Sequence, residues 1–171
     1  MNLGVNDWSD LWRQLSGHEA GPFVQFIKYA VGGGVATLSD MLVFYTLSWK
    51  VFPALTSADP VARRLGWTVR PVDDTTRSRR FILNSALAFL ISNFTAYLIN
   101  IWWVFQPGRY AWYVELGLFY AVSLVAIALG TALGWAMIRG LRLSTSASYL
   151  GKMLSALLIN FVCRKFVIFK G

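Results

Sequence analysis

The sequence predicts an all-α integral membrane protein with four transmembrane helices. Four apolar runs support this prediction, at residues 23–49, 81–105, 112–138 and 146–169. Each run exceeds the roughly 20 residues that a helix needs to cross a bilayer. The composition agrees, because 56% of the 171 residues are hydrophobic and 16% are aromatic, more than is usual in soluble domains.

The N-terminal segment, residues 1–22, predicts a short amphipathic helix that lies in the membrane interface. Between Asn6 and Ser16, apolar residues recur at the spacing i, i+3, i+4 and i+7, at Trp8, Leu11, Trp12 and Leu15. Tryptophans on one face of a short helix are typical of a segment at headgroup level. A frayed tail is the alternative. Gly21-Pro22 separates this segment from the first span.

Residues 23–171 are predicted to form one four-helix membrane domain whose long loop is residues 50–80. Asp59-Pro60 can open one helical turn in this loop. Apolar residues such as Trp67 alternate with six arginines, which are Arg63, Arg64, Arg70, Arg77, Arg79 and Arg80. This pattern suits a segment on the membrane surface, and a disordered hydrophilic loop is the alternative.

An internal repeat groups the spans into two tandem helix hairpins. The second run ends with Asn-Ile-Trp-Trp-Val-Phe at residues 100–105, and the fourth ends with Arg-Lys-Phe-Val-Ile-Phe at residues 164–169. Tyr29 and Tyr120 each precede Ala-Val and align the first and third runs. Residues 106–109, Gln-Pro-Gly-Arg, predict a tight turn between the second and third spans. Transporters are often built from such repeats.

The sequence outside the spans excludes several classes of protein. The first 22 residues, the loop of residues 50–80 and two short turns are too little for a catalytic domain, so we expect no enzyme. The sequence has one cysteine, Cys163, and one histidine, His18, so we expect neither an internal disulfide nor a metal site. It also lacks a phosphate-binding loop that would indicate ATP use. We expect no cofactor. The net charge of +8 comes from basic residues in loops and at helix ends, which favours membrane lipids over nucleic acid as partners.

Polar and charged residues within the apolar runs make transport the first functional hypothesis. They are Lys28, Asp40, Asn84, Asn93, Asn100, Glu115, Lys152, Asn160, Arg164 and Lys165. Ionisable groups at membrane depth are costly unless they are paired or line a water-filled path. Residues of this kind therefore mark substrate pathways.

The helix rise places several of these residues at one membrane face. At about 1.5 Å per residue, Lys28 lies ~8 Å from the start of the first helix, and Arg164 and Lys165 lie ~6 to 8 Å from the end of the fourth. Other polar and aromatic residues belong to this face: Asn100, Trp102, Trp103, Trp112 and Glu115. Cations and indoles suit an anionic headgroup that carries a sugar. Snorkelling of basic residues to lipid phosphates is the alternative.

A deeper pair is predicted between Asp40 and Lys152. Each lies ~25 Å from the relevant end of its helix, so antiparallel helices would bring them level. An ion pair between them would open when a ligand phosphate competes for Lys152. A purely structural tie between the first and fourth helices is the alternative.

Small residues predict close helix contacts. Gly130 and Gly134 have the spacing that lets another helix approach closely, and we expect a homodimer. Close packing within the monomer explains the same spacing. Residues 32–34 are three consecutive glycines, which permit a kink or close contact by a headgroup.

On these residues the chain resembles the GtrA-like family, small four-helix membrane proteins implicated in moving polyprenyl-phosphate-linked sugars. Residues 26–40, Phe-Ile-Lys-Tyr-Ala-Val-Gly-Gly-Gly-Val-Ala-Thr-Leu-Ser-Asp, are similar to the family's first helix. Residues 160–169, Asn-Phe-Val-Cys-Arg-Lys-Phe-Val-Ile-Phe, are similar to its closing pattern. The second run departs from the family at Ala96 and Ile101.

The resemblance implies translocation, or flipping, of a polyprenyl-phosphate-linked monosaccharide for modification of cell-surface polysaccharide or glycolipid. The implied partners are the polyprenyl-phosphate sugar lipid, membrane lipids and a membrane glycosyltransferase. The candidate substrate-binding residues are Lys28, Arg164, Lys165, Lys152, Asp40, Asn100, Asn160 and Trp103. Two alternatives stay open: a small proton-coupled multidrug or metabolite exporter that uses Asp40, and a non-transporting scaffold for a glycosyltransferase.

The distribution of basic residues and the family resemblance predict opposite orientations of the chain in the membrane. Of the 16 lysines and arginines, ten lie on the side of the long loop and six on the side of the termini. The positive-inside rule therefore places the long loop in the cytoplasm. The resemblance implies a multi-pass protein of the inner (plasma) membrane with cytoplasmic termini, which is the orientation we expect.

Overall fold

The computed structural model describes residues 8–141 and 145–170. Within the helices, the description excludes the side chains of residues 134, 135, 138, 139, 145–150 and 152. The described chain is helical without strands. Its helices are α1 Trp8–Ser16, α2 Pro22–Thr46, α3 Pro60–Arg64, α4 Asp74–Ile99, α5 Trp112–Arg139 and α6 Thr145–Cys163. Three π-helical segments continue α2, α4 and α6, namely π1 Leu47–Val51, π2 Asn100–Val104 and π3 Arg164–Ile168.

Three helices in the described residues are long and apolar enough to cross a membrane. They are Pro22–Val51, Asp74–Val104 and Trp112–Leu133. Large apolar side chains such as Leu42, Ile82 and Leu124 are exposed along them, as expected where lipid replaces water. The chain is therefore an all-helical integral membrane protein. The fourth predicted helix is present as α6 and π3, and its crossing of the membrane stays a prediction.

The second long helix begins at Asp74 rather than near residue 81. The carboxylate of Asp73 accepts a hydrogen bond from the Thr76 amide at 2.9 Å, which satisfies a free donor in the first turn. This bond holds the pKa of the Asp73 carboxyl below its ordinary value. Arg77 also pairs with Asp74 at 3.0 Å. The arginines at the end of the predicted loop are therefore helical.

The remaining loop is ordered around α3, as Asp59-Pro60 predicted. Pro60 occupies the first turn of this helix, where its missing amide hydrogen is not needed. The amide of Thr56 donates to the Asp59 carboxylate at 3.3 Å. Gly66 follows with a φ of 62°, a left-handed conformation that glycine adopts without strain. The interpretation as a wholly disordered loop is wrong for these residues.

The chain divides into two compact units. Unit 1 comprises Met1–Gly32 and Tyr97–Gly171, and unit 2 comprises Gly33–Ala96. In unit 2, α4 is joined by polar contacts to π1 and the residue after it, since the Asn84 amide donates to Ser48 Oγ at 2.9 Å and to the Phe52 carbonyl at 3.0 Å. Asn84 thus serves packing between helices, which is the expected use of a buried amide within a membrane.

The repeated sequence ends have the same backbone structure. The Phe105 amide donates to the Asn100 carbonyl at 2.8 Å, and the Phe169 amide donates to the Arg164 carbonyl at 2.9 Å. Both bonds span five residues and close π2 and π3 in the same way. The rings of Phe105 and Phe169 stack with centroids 5.3 Å apart. The two hairpins of the predicted repeat therefore end in equivalent turns.

The alignment of the first and third helices is wrong by one residue. Tyr29 contacts the rings of Phe105 and Phe161, whereas Phe119 contacts the equivalent rings, Phe169 and Tyr97. The residue equivalent to Tyr29 is therefore Phe119 and not Tyr120. The helix starts agree, because α2 begins at Pro22 and α5 at Trp112. Contacts with neighbouring helices determine which residues of the first and third helices are equivalent. The Tyr-Ala-Val match in the sequence contains no information about those contacts.

Candidate functional site

Three cations of unit 1, Lys28, Arg164 and Lys165, form what we term the cationic cluster. Lys28 is fully buried in α2, and Arg164 at the start of π3 is 6% exposed. Ion pairs in the described part of the chain are Arg13–Asp10 and Arg77–Asp74. The cluster therefore makes no ion pair with the described residues.

Arg164 is surrounded by hydroxyl groups and aromatic rings. Its guanidinium donates to the Tyr29 hydroxyl at 3.2 Å and to Ser123 Oγ at 2.9 Å. The guanidinium carbon lies 3.6 Å from the centre of the Phe119 ring, a cation–π contact. The third donor group, Nε, is buried and has no hydrogen-bond partner among the described residues. A buried cation with neutral partners favours the approach of an anion.

Lys165 lies beside Arg164 and contacts the same part of α2. Its ammonium donates to the side-chain oxygen of Gln25 at 2.6 Å. Gln25 in turn donates to the Val104 carbonyl at 3.3 Å and is 2% exposed. Gln25, Lys28 and Tyr29 occupy one face of α2 because their spacing is i, i+3 and i+4. This face of α2 therefore joins the three cations.

Lys28 supports α1 instead of facing an open site. Its ammonium donates to the carbonyls of Gln14 at 3.3 Å and Gly17 at 2.6 Å, at the end of α1 where carbonyls lack helical donors. The indole of Trp103 donates to the Leu15 carbonyl at 2.6 Å, and its ring lies 5.3 Å from the Lys28 ammonium. Lys28 and Trp103, both predicted headgroup ligands, thus hold the end of α1.

An open cavity of about 680 Å³ lies at this end of α1. Its lining includes Gln14 and Gly17, whose carbonyls bind Lys28, together with Gln106 from the turn after π2. The volume is within the range of small-molecule sites. A headgroup in this cavity would therefore lie next to the carbonyls that accept hydrogen bonds from Lys28.

The two predicted asparagines lie in buried or half-buried positions. Asn100 is buried at the start of π2, where its carbonyl closes the π-helical turn. The Asn160 amide donates to the Ala156 carbonyl of its own helix at 2.9 Å, and its side-chain oxygen has no hydrogen-bond partner in the described residues. The substrate-binding role of both stays a prediction.

In the part of the chain that the structure describes, Glu115 makes no hydrogen bond or ion pair with the cationic cluster. Its carboxylate accepts hydrogen bonds from the amides of Gly108 at 2.7 Å, Arg109 at 2.9 Å and Tyr110 at 3.3 Å. Gly108 has a φ of 96°, which turns successive amides toward one point. Glu115 therefore stabilises the turn before α5, and its place in a headgroup site stays a prediction.

The deeper pair is only partly described. The carboxylate of Asp40 accepts a hydrogen bond from Ser92 Oγ at 3.0 Å, within unit 2. The side chain of Lys152 lies outside the described residues. The predicted pairing of Asp40 with Lys152 therefore stays a prediction, as does the binding role of each.

Glycines allow two close helix contacts within unit 1. A Cβ at Gly32 would lie 2.8 Å from Ile99 Cγ2, and one at Gly151 would lie 2.6 Å from the sulfur of Met137. Gly130 is buried within the chain, as the packing alternative expected, whereas the side-chain position of Gly134 is outside the description. The homodimer stays a prediction without support from Gly130.

The partners of the cationic cluster were not recognised as site residues from the sequence. Gln25, Tyr29 and Ser123 are the neutral groups that accept from Lys165 and Arg164. A signal existed for Gln25, since it lies on the same helical face as Lys28. Ser123 gave no such signal, because an isolated serine in an apolar run usually bonds its own helix, as it also does here to the Phe119 carbonyl.

Comparison with protein families gives a match over more than half of the chain. The model of the family described as GtrA/DPMS, transmembrane domain, matches residues 76–169. The matched residues include Arg164 and Lys165 of the cationic cluster, whereas Lys28 precedes them. No curated protein and no solved structure matched the chain.

Proposed function

The chain belongs to the GtrA/DPMS transmembrane-domain family, and from this membership we propose that it translocates a polyprenyl-phosphate-linked monosaccharide across the inner membrane. The product would serve modification of cell-surface polysaccharide or glycolipid. We further propose that four helices cross the membrane, that α1 lies in the interface and that both termini are cytoplasmic. Membership of the family agrees with a membrane-associated function related to polyprenyl-linked sugars.

The observation that supports an anionic substrate is the environment of Arg164. Burying a guanidinium is costly unless a counter-charge compensates it, and its recorded hydrogen bonds go to two hydroxyl groups. A phosphate is the natural counter-charge, since arginine binds phosphate oxygens in a forked geometry. The Nε group of Arg164, which has no hydrogen-bond partner among the described residues, would provide an additional donor.

The remaining groups suggest an order of contacts during translocation. The headgroup enters the cavity beside α1, where its phosphate competes with the carbonyls of Gln14 and Gly17 for Lys28. Lys165 and then Arg164 take over the phosphate, while aromatic rings such as Tyr29 contact the sugar. The polyprenyl tail stays in lipid along the exposed apolar helix surfaces. Each transfer exchanges one charged partner for another, so the phosphate need not cross the apolar region unpaired.

A transport assay with a matched control tests this proposal. The purified protein is reconstituted in liposomes that contain a fluorescent short-chain polyprenyl-phosphate sugar, and movement between leaflets is followed by quenching. Arg164→Gln should lower lipid binding roughly 10- to 100-fold, since a hydrogen bond to a charged group is worth about 1.5–3 kcal/mol, and should stop translocation.

Arg109→Gln is the matched control, because Arg109 is an exposed arginine near the same end of α6, where it donates to the Phe166 carbonyl. It should leave translocation unchanged. Proton-coupled efflux that depends on Asp40, without transport of the lipid, would support the exporter alternative instead. Binding without movement between leaflets would support a scaffold.

A further inference from the structure

A second group of cations and tryptophans lies at the C-terminal end of the span Pro22–Val51. Trp49 of π1 stacks on Trp67 of the loop, with ring centroids 4.3 Å apart and planes 4° apart. The Trp49 indole also donates to the Thr68 carbonyl at 3.2 Å. These contacts attach the loop to the end of α2 within unit 2. We term residues 49–69 the loop surface.

The loop surface presents three cations. The Lys50 ammonium lies 3.7 Å from the centre of the Trp49 ring, and Arg63 and Arg64 extend from α3. Both arginines are exposed, and neither side chain has a hydrogen-bond or ion-pair partner in the residues that the structure describes. An open cavity of about 400 Å³ is lined by Arg63, Trp67 and other loop residues. Within the described residues, both arginines are therefore available to bind anions from outside.

Apolar side chains lie among these cations in the sequence of the loop surface. Leu65 follows Arg64 and is 59% exposed, and Val51 follows Lys50 and is 53% exposed. Exposed leucine and valine next to arginines and tryptophans are typical of a segment at the boundary between headgroups and acyl chains. Because these residues adjoin a membrane-spanning helix, a lipid surface is the partner that satisfies both their charge and their apolar area.

We propose that the loop surface binds the phosphate groups of anionic phospholipids at the membrane face where α2 ends. Arg63 and Arg64 contact phosphate oxygens, Lys50 adds charge, and Leu65 and Val51 enter the outer part of the acyl region. The ligand is bulk anionic phospholipid, and none of these residues belongs to the cationic cluster. The stacked indoles keep the arginines at headgroup level.

Hydrogen–deuterium exchange of the full chain in nanodiscs tests the proposal. Exchange of the loop amides is compared between nanodiscs of phosphatidylcholine alone and nanodiscs that also contain phosphatidylglycerol. The anionic lipid should slow exchange across residues 55–69. Each arginine near an anionic surface should contribute about fivefold to the affinity for that surface. R63Q/R64Q should therefore lower the affinity of the loop surface for anionic lipid by roughly 25-fold and reduce the protection of the loop amides accordingly.

The double variant R77Q/R79Q is the matched control. It removes the same charge from the first turns of α4, where Arg77 already pairs with Asp74, and it should retain the protection. Equal loss in both double variants would mean that net charge alone acts and would overturn the site. Equal exchange of the unaltered protein in both nanodiscs would also overturn it.

Two further measurements complete the design. Inorganic phosphate added to phosphatidylcholine nanodiscs should give no protection, and protection there would overturn a lipid ligand in favour of a soluble one. Circular dichroism and tryptophan fluorescence of R63Q/R64Q should match those of the unaltered protein, since in the described residues no hydrogen bond or cation–π contact joins either arginine to the stacked indoles. Should this variant unfold, Arg63→Lys, which keeps the charge but loses the fork, should show intermediate protection, and full protection would contradict the proposal.

Discussion

The guanidinium of Arg164 lies 3.6 Å from the centre of the Phe119 ring, and that ring is fully buried. Phe119 occupies the place in the second hairpin that Tyr29 occupies in the first. The contact joins π3, which continues α6, to α5 and places a buried cation of the cluster against an aromatic face. Arg164 therefore contacts both equivalent residues of the repeat, since its guanidinium also donates to the Tyr29 hydroxyl.

The contact between Arg164 and Phe119 predicts coupling between them. A cation–π contact contributes about 0.5–2 kcal/mol, and Phe119→Leu and Arg164→Gln should show a coupling energy of that size in a double-mutant cycle. Unfolding of the detergent-solubilised protein measures it. Phe26→Leu is the control, since the Phe26 ring packs on Phe161 at 5.2 Å, and it should be additive with Arg164→Gln. Additivity for Phe119 as well would mean that the contact contributes nothing.

Lys28→Met should release the end of α1. The substitution removes two hydrogen bonds from a charged donor to the Gln14 and Gly17 carbonyls, each worth about 1.5–3 kcal/mol. Amide exchange in residues 8–21 should accelerate at least tenfold, since a loss of about 1.4 kcal/mol corresponds to that factor. Lys170→Met, at an exposed position, should leave it unchanged. Unaltered protection of α1 in Lys28→Met would show that other contacts hold the helix.

Asp40→Asn and Lys152→Met should each destabilise the protein if the two residues pair. Each single change leaves the other charge unpaired at membrane depth, whereas the double change removes both charges and should be milder than the sum. A thermal-stability cycle in detergent measures the difference. Asp40→Asn keeps an oxygen that can accept from Ser92, so loss of that bond does not explain the expected effect. Strict additivity would contradict the pairing.

Gly32→Ala and Gly34→Ala should have opposite effects on stability. A Cβ at Gly32 would lie 2.8 Å from Ile99 Cγ2, whereas a Cβ at Gly34 meets nothing within 4 Å. Overpacking at Gly32 should cost about 1–3 kcal/mol. Gly34→Ala should gain about 0.5–1 kcal/mol, because alanine restricts the unfolded chain. Equal unfolding midpoints for the two variants would contradict the assigned contact.

The working unit is expected to be a homodimer. Four helices enclose little volume, and a headgroup with a phosphate and a sugar needs a polar cavity shielded from hydrocarbon. Mass measurement in native-like nanodiscs, combined with the transport assay, tests this expectation. A monomer that still transports the lipid would end the dimer prediction, and lipid would then form the open side of the site.

The positions of the helices and the identity of the cations were determined by the sequence alone. Hydrophobic length is a local property, so the apolar runs predicted α2, α4, α5 and α6 without knowledge of their partners. The matching ends at residues 100–105 and 164–169 predicted an internal repeat, and the structure gives both ends the same backbone, as π2 and π3. The start of α4 was misplaced because its first turns are polar, and polar residues in a helix that leaves the membrane give no hydrophobic signal.

Only the tertiary structure decided which groups the cations contact. Helix rise placed Lys28 and Arg164 at similar depth, but depth contains no information about rotation around the helix axis. Packing against neighbouring helices sets that rotation, and it directs Lys28 to the end of α1 and Arg164 to Tyr29 and Ser123. The same packing makes Phe119 the residue that is equivalent to Tyr29 in the repeat. Contacts between helices depend on the folded structure, and the neighbouring residues in the sequence do not reveal them.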